Sequence, residues 1–116
     1  MLRPSNELSV FLYADPVDMR KSMNGLSIIV EQEMSLSPSM NAQFVFCNRS
    51  RDKIKILYWE RNGFIVWYKR LEQQRFKWPN INEPLELTGK TLNLLLDGID
   101  IFNNKPHKTV NFVSVS

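Results

Sequence analysis

An α+β fold, an antiparallel β-meander of three to five strands packed against two helices, is what this sequence predicts, and three patterns carry the prediction. Period-two alternation dominates the middle of the chain, from Gln43 to Arg70. A helical apolar stripe follows an Asp-Pro pair at residues 15 and 16, and a Leu-rich stripe occupies residues 92 to 96. Strands and helices that fall in separate blocks point to an α+β arrangement around one core.

The first strand is Leu8 to Ala14, short, aromatic and β-branched, ending at Asp15-Pro16. A helix over Pro16 to Glu33 is expected next, with Asp15 as N-cap, Pro16 at the first position and Asp18 at the third, beside the positive end of the helix. Its core face is Met19, Met23, Leu26 and Val30, widened by Ile29 and Met34, and Gly25 weakens it by about 1 kcal/mol relative to Ala. Three strands follow, Gln43 to Asn48, Lys53 to Trp59 and Phe64 to Arg70. A three-residue Arg61-Asn62-Gly63 turn pairs Glu60 with Phe64, which puts Ile54, Ile56, Tyr58, Phe64, Val66 and Tyr68 on one face. The other face then carries Lys53, Lys55, Leu57, Trp59, Ile65, Trp67 and Lys69. Arg75 to Trp78 offers a further short strand, and Asn80 to Leu87 reads as a loop. Thr88 caps a second helix over Gly89 to Asp97, closed by Gly98. Residues 1–102 are expected to form one domain, and 103–116 a tail or an added edge strand.

Chain size and charge narrow the function. At 116 residues with 43% hydrophobic and 23% charged composition, the chain supports one core and not a kinase or a two-domain dinucleotide-dependent enzyme. Apolar runs reach five residues at most, and the opening lacks a basic segment followed by an apolar one. A cytoplasmic protein without a membrane partner is therefore expected. The net charge is +3, yet the span Arg49 to Lys77 holds nine basic and three acidic residues while the remainder is net negative. Any electrostatic footprint is thus borne by folded strands and turns.

Catalytic and metal constellations are not legible. His107 stands alone, Cys47 is an isolated thiol within an apolar strand, and the serines and glycines form neither a nucleophile elbow nor a phosphate loop. Asp15 and Asp18 are explained by helix capping, so no catalytic residue, cofactor or metal is expected. The strongest candidate is a nucleic-acid surface built from Arg49, Arg51, Lys53, Lys55, Lys69, Arg70, Arg75 and Lys77, with Arg20 and Lys21 as a second basic spot. Trp59, Trp67, Phe76 and Trp78 lie among these cations, available to stack on bases or to fill a second core layer. Backbone contact is favoured over base readout because no recognition helix of the helix-turn-helix type can be read.

The segments Asp18 to Lys21 (D-M-R-K), Phe46 to Arg49 (F-x-N-R), Lys55 to Trp59 (K-I-L-Y-W), Asn62 to Phe64 (N-G-F), Tyr68 to Leu71 (Y-K-R-L) and Arg75 to Pro79 (R-F-x-W-P) occur in order without large gaps. In these the chain resembles the TnpB accessory proteins, the second open reading frame products of the insertion-sequence-66 family of bacterial transposable elements. The resemblance implies a non-catalytic role in DNA transposition beside a separate transposase, with DNA of the transposon end or target as the expected partner. The alternative it leaves open is an adaptor that docks on the transposase without touching DNA. Gly89 departs from the Pro frequent at that position in the family, and the tail after Asn103 lies outside the shared pattern.

Overall fold

The computed structural model describes residues 8–80 and 82–100. Its elements are β1 (Ser9–Leu12), α1 (Met23–Gln32), β2 (Ala42–Cys47), β3 (Lys53–Glu60), β4 (Gly63–Arg70), β5 (Leu85–Thr88) and α2 (Gly89–Leu96). They form one five-stranded sheet in the order β4-β3-β2-β1-β5. The antiparallel run β2-β3-β4 is as expected, but the sheet is mixed: β1 pairs parallel with β2, Ser9 opposite Ala42 through Leu12 opposite Val45. A parallel pair requires a crossover of a dozen residues or more, and α1 with its flanking loops supplies it. A strand, a helical stripe and a second strand in succession is the signature of such a unit.

The first helix begins later than capping by Asp15 would have it. After β1 the chain stays extended along β2, Tyr13 and Val17 donating backbone hydrogen bonds to Val45 and Cys47 at 3.0 and 2.9 Å. Ser22 is the N-cap, its hydroxyl accepting from the Gly25 amide at 3.2 Å. Asp18 instead receives the Arg20 amide and guanidinium. Leu26 and Val30 are buried on the core side of α1, while Met23 is exposed. The Tyr13 hydroxyl donates to Glu33 at 2.8 Å and joins the end of β1 to the C-cap of α1.

At the far end the second helix agrees with the expectation. Thr88 caps it by accepting from the Thr91 amide at 3.1 Å, and Gly98 follows at φ 83°, the left-handed conformation that ends a helix. Leu92, Leu95 and Leu96 are fully buried, whereas Ile99 is exposed. The segment 75–78 is not a strand; the fifth strand is β5, which pairs antiparallel with β1 inside the stretch expected to be a loop. The tail from residue 103 lies outside the described residues.

Two apolar layers cover opposite faces of the sheet. On one, α2 packs over Val10, Leu12, Val45, Cys47, Ile54, Ile56 and Tyr58. On the other, α1 packs over Phe44, Phe46 and Leu57. The β3-β4 turn sets which β4 residues join which layer. Glu60 pairs with Gly63, so the connection is the two residues Arg61 and Asn62, and the register is shifted by one from the three-residue expectation. Ile65, Trp67 and Lys69 therefore share the α2 side with Ile54, Ile56 and Tyr58, while Phe64, Val66, Tyr68 and Arg70 share the α1 side with Lys53, Lys55, Leu57 and Trp59.

Arg61, not Gly63, holds the left-handed conformation in that turn, at φ 59°. A side chain at such a backbone costs roughly 1 kcal/mol relative to Gly. Arg61→Gly is expected to raise stability by up to about 1 kcal/mol, reduced by the unfolded-state entropy that Gly adds. A urea midpoint at or below the wild-type value would contradict this.

Candidate nucleic-acid interface

The β2-β3 turn is organised by one side chain. The Asn48 carboxamide oxygen accepts from the amides of Asp52 and Lys53 at 3.1 and 3.0 Å, and its nitrogen donates to the Asp52 carboxylate at 2.7 Å. Arg51 takes φ 63°, which lets the chain reverse over so few residues. The result presents Arg49 and Ser50 to solvent at the end of the sheet. Asn48→Ala removes all three bonds and is expected to cost about 1–3 kcal/mol, read as a lowered urea midpoint.

The extended segment after β1 approaches this turn. Between them lies an open groove of about 550 Å³ lined by Pro16, Val17, Asp18, Met19, Arg20, Asn48, Arg49, Ser50 and Lys53. Val17 anchors the segment: it is buried, and its amide is bonded to Cys47. The α1 side therefore gathers Arg20, Arg49 and Lys53 at one groove. Lys55 adjoins them, its ammonium donating to the Lys21 carbonyl at 3.3 Å, and Arg70 stands opposite Lys53 in the β3-β4 register.

Of the three cations that line the groove, Arg20 and Lys53 already have carboxylate partners. Arg20 Nη2 meets Asp18 Oδ2 at 2.7 Å, with Arg20 Nε bridging both oxygens at 3.1 Å. Hydrogen bonding from this guanidinium holds the Asp18 carboxyl down to about 2. Lys53 lies 3.5 Å from Asp52, whose carboxyl is lowered first by the Asn48 hydrogen bond. Arg49 has no ion pair among the described residues.

Two predicted site residues, Lys69 and Arg51, are directed elsewhere, and a third, Arg70, is paired at the sheet edge. Lys69 lies on the α2 side, where its ammonium donates to the Leu96 carbonyl at 3.0 Å and so satisfies the C-terminal end of α2. Arg51 places its guanidinium 5.8 Å from the centroid of Trp78 and beside Cys47, with its carbonyl accepting from the Phe76 amide at 2.7 Å. Burial pushes the Cys47 thiol up to about 11, and Arg51 opposes that rise only in part. Arg70 pairs with Glu72 at 3.1 Å on the exposed edge. Arg75 and Lys77 are exposed, alternating with Phe76 and Trp78, which pack into the α2-side layer.

The tryptophans of the basic region are mostly core. Trp67 and Trp78 pack in the α2-side layer, and Trp59 meets Phe64 edge-on at 5.0 Å. Tyr68 is the large aromatic that sequence reasoning misplaced, because the slipped register had put it in the core; it is 49% exposed and stands opposite Lys55. Among the described residues no group of three His, Cys, Asp or Glu is placed to hold a metal, and no helix is long and apolar enough to cross a membrane.

Comparison with known proteins adds the biological setting. A family model described as "IS66 Orf2 like protein" matches residues 8–106. An uncharacterized protein y4jC of Sinorhizobium fredii is 32% identical over 101 residues, covering 86% of each chain. A second uncharacterized protein of that organism, y4hO, is 30% identical over 101 residues, covering 86% of this chain and 88% of its own. No solved structure matches. The match over residues 8–106, most of the chain, makes this protein a member of the IS66 Orf2-like family, the accessory second-open-reading-frame products of IS66-type transposable elements.

Proposed function

We propose that the protein serves transposition by binding DNA of its element through the groove on the α1 side. The observation that carries this is the convergence of Arg20, Arg49 and Lys53 on one open groove from two chain segments far apart in sequence, with Lys55 beside them. Cations presented by turns and strand ends suit the phosphate backbone, which supplies most affinity without reading sequence. Arg51 and Lys69 are assigned to packing and helix capping, and Arg75 and Lys77 lie apart from the groove; Arg70 and Lys21 flank it.

The test is a salt titration of full-length protein against a transposon-end duplex and a scrambled duplex, repeated with purified transposase. Binding of both duplexes with similar affinities and a steep loss with salt is expected. No duplex affinity at low salt, combined with association with the transposase, would establish the adaptor reading instead; the exposed Met23 and Ile28 on α1 suit such a contact.

Asp18 offers a sharper check, since its carboxylate occupies the guanidinium of Arg20. Asp18→Asn removes the negative charge from the groove and frees Arg20 for a phosphate. The magnitude of the salt slope should then rise by up to about one unit. An unchanged slope would remove Arg20 from the contact surface.

A further inference from the structure

Tyr68 is a large aromatic that the core does not use. Phe64 and Val66, on the same face of β4, pack into the α1-side layer, but Tyr68 lies beyond that layer and is 49% exposed. Trp59, the other exposed aromatic of this hairpin, is engaged edge-on by Phe64. Tyr68 has no ring partner among the described residues. It lies on the outermost strand, so among those residues no further strand flanks it.

Cations surround this ring. Lys55 is directly opposite Tyr68, Lys53 is two residues from Lys55 on the same face, and Arg70, opposite Lys53, is two residues along from Tyr68 and shares its charge with Glu72. Directly opposite side chains have Cβ atoms about 5 Å apart, and same-face neighbours along a strand are about 7 Å apart. Lys53 also lines the groove. Phosphate-seeking groups thus border an accessible π-face continuous with the proposed DNA surface.

We propose that Tyr68 is a stacking platform for an unpaired nucleobase, so that the DNA held by this surface includes a single-stranded segment. This rests on the DNA-binding reading of the groove and names the form of DNA that it takes. In a duplex the base faces are already stacked, and an exposed tyrosine gains little from them. In a single strand each base has a free face, and the neighbouring Lys53 and Lys55 hold the adjoining phosphates. An acidic peptide would use the cations but leave the ring without a role.

The experiment measures anisotropy of a labelled oligothymidine and of a labelled duplex with the same number of phosphates, using the full chain and its Tyr68→Ala and Tyr68→Phe variants. Tyr68→Ala should weaken oligothymidine binding about tenfold while leaving the duplex nearly unchanged, and Tyr68→Phe should retain wild-type affinity. Wild-type melting of both variants, expected for a half-exposed side chain, confirms that folding is not the cause. Duplex binding with an oligothymidine affinity indifferent to Tyr68→Ala overturns the stacking site alone. Equal losses on both probes do the same, as does a polyglutamate ligand with the same Tyr68 dependence. Failure of the wild type to bind either probe at low salt removes the DNA-binding reading as well.

Discussion

Ile56→Asp should abolish the folded state. Ile56 is fully buried in β3, which is hydrogen-bonded to β2 on one side and β4 on the other, and its side chain lies in the layer beneath α2. Of the cations on β3 and β4, Lys53 and Lys55 point to the other face and Lys69 is engaged with the end of α2, so none of them meets a carboxylate there. The cost has two parts: loss of a fully buried aliphatic side chain, about 2–3 kcal/mol, and burial of an unpaired charge or of its protonated form, several kcal/mol more. Their sum is comparable with the whole stability of a domain this size, about 5–15 kcal/mol. The variant should lack a cooperative thermal transition. Tyr68→Asp is the informative companion, since the alternative register would bury both residues in one layer. The observed register exposes Tyr68, so this variant should unfold cooperatively near the wild-type midpoint. A Tyr68→Asp protein as damaged as Ile56→Asp would reject the β3-β4 pairing.

That register shows where sequence reasoning reached its limit. Its choice of a three-residue turn separated apolar from basic side chains, an argument that holds when one face of a sheet meets solvent. Here both faces are covered, so Ile54 and Ile56 pack under α2 while Leu57 packs under α1, and alternation no longer distinguishes the registers. The positive φ of Arg61 compounded the difficulty, because Gly63 was the residue to expect in that conformation. The strands β1 to β4 and helix α2 were legible because their alternation, helical spacing and caps act locally. The α1 start was misread for a tertiary reason: hydrogen bonds from Tyr13 and Val17 to β2 keep the chain extended through a sequence with good capping residues. The four residues of β5 fall among Asn, Glu and Pro, and their pairing with β1 is also tertiary.

The candidate site divides along the same line. Composition located the cations, and local motifs placed Arg49 and Lys53 at one turn. The approach of Arg20 depends on the tethering of Tyr13 and Val17 to β2 and on the turn that follows, and the diversion of Lys69 and Arg51 depends on α2 and Trp78. None of these distances is encoded within one segment. One mark was readable: Asn48 beside a sharp reversal is a side chain suited to bonding its own turn, and that turn presents Arg49.

The division of the cations predicts the largest functional effect. Arg49, Lys53 and Lys55 lie on the α1 side with limited structural duties: Arg49 has no ion pair among the described residues, the Lys53 pair with Asp52 is 3.5 Å long, and Lys55 makes one bond to a backbone carbonyl. Losing a partly exposed pair costs at most about 1 kcal/mol, so the triple alanine variant should remain folded. Each lost phosphate contact reduces the slope of log binding constant against log salt by about 0.9 for duplex DNA. Replacing all three should flatten the slope by about 2.7 and weaken binding at low salt by several orders of magnitude, alike for transposon-end and scrambled duplexes. Lys69→Ala is the control, since it removes a cation from the same stretch but from the opposite face. It should lower stability by about 1 kcal/mol through the exposed end of α2 and leave the salt slope unchanged. If Lys69→Ala flattens the slope as much as any single member of the triple, the cations act as diffuse charge and not as a groove.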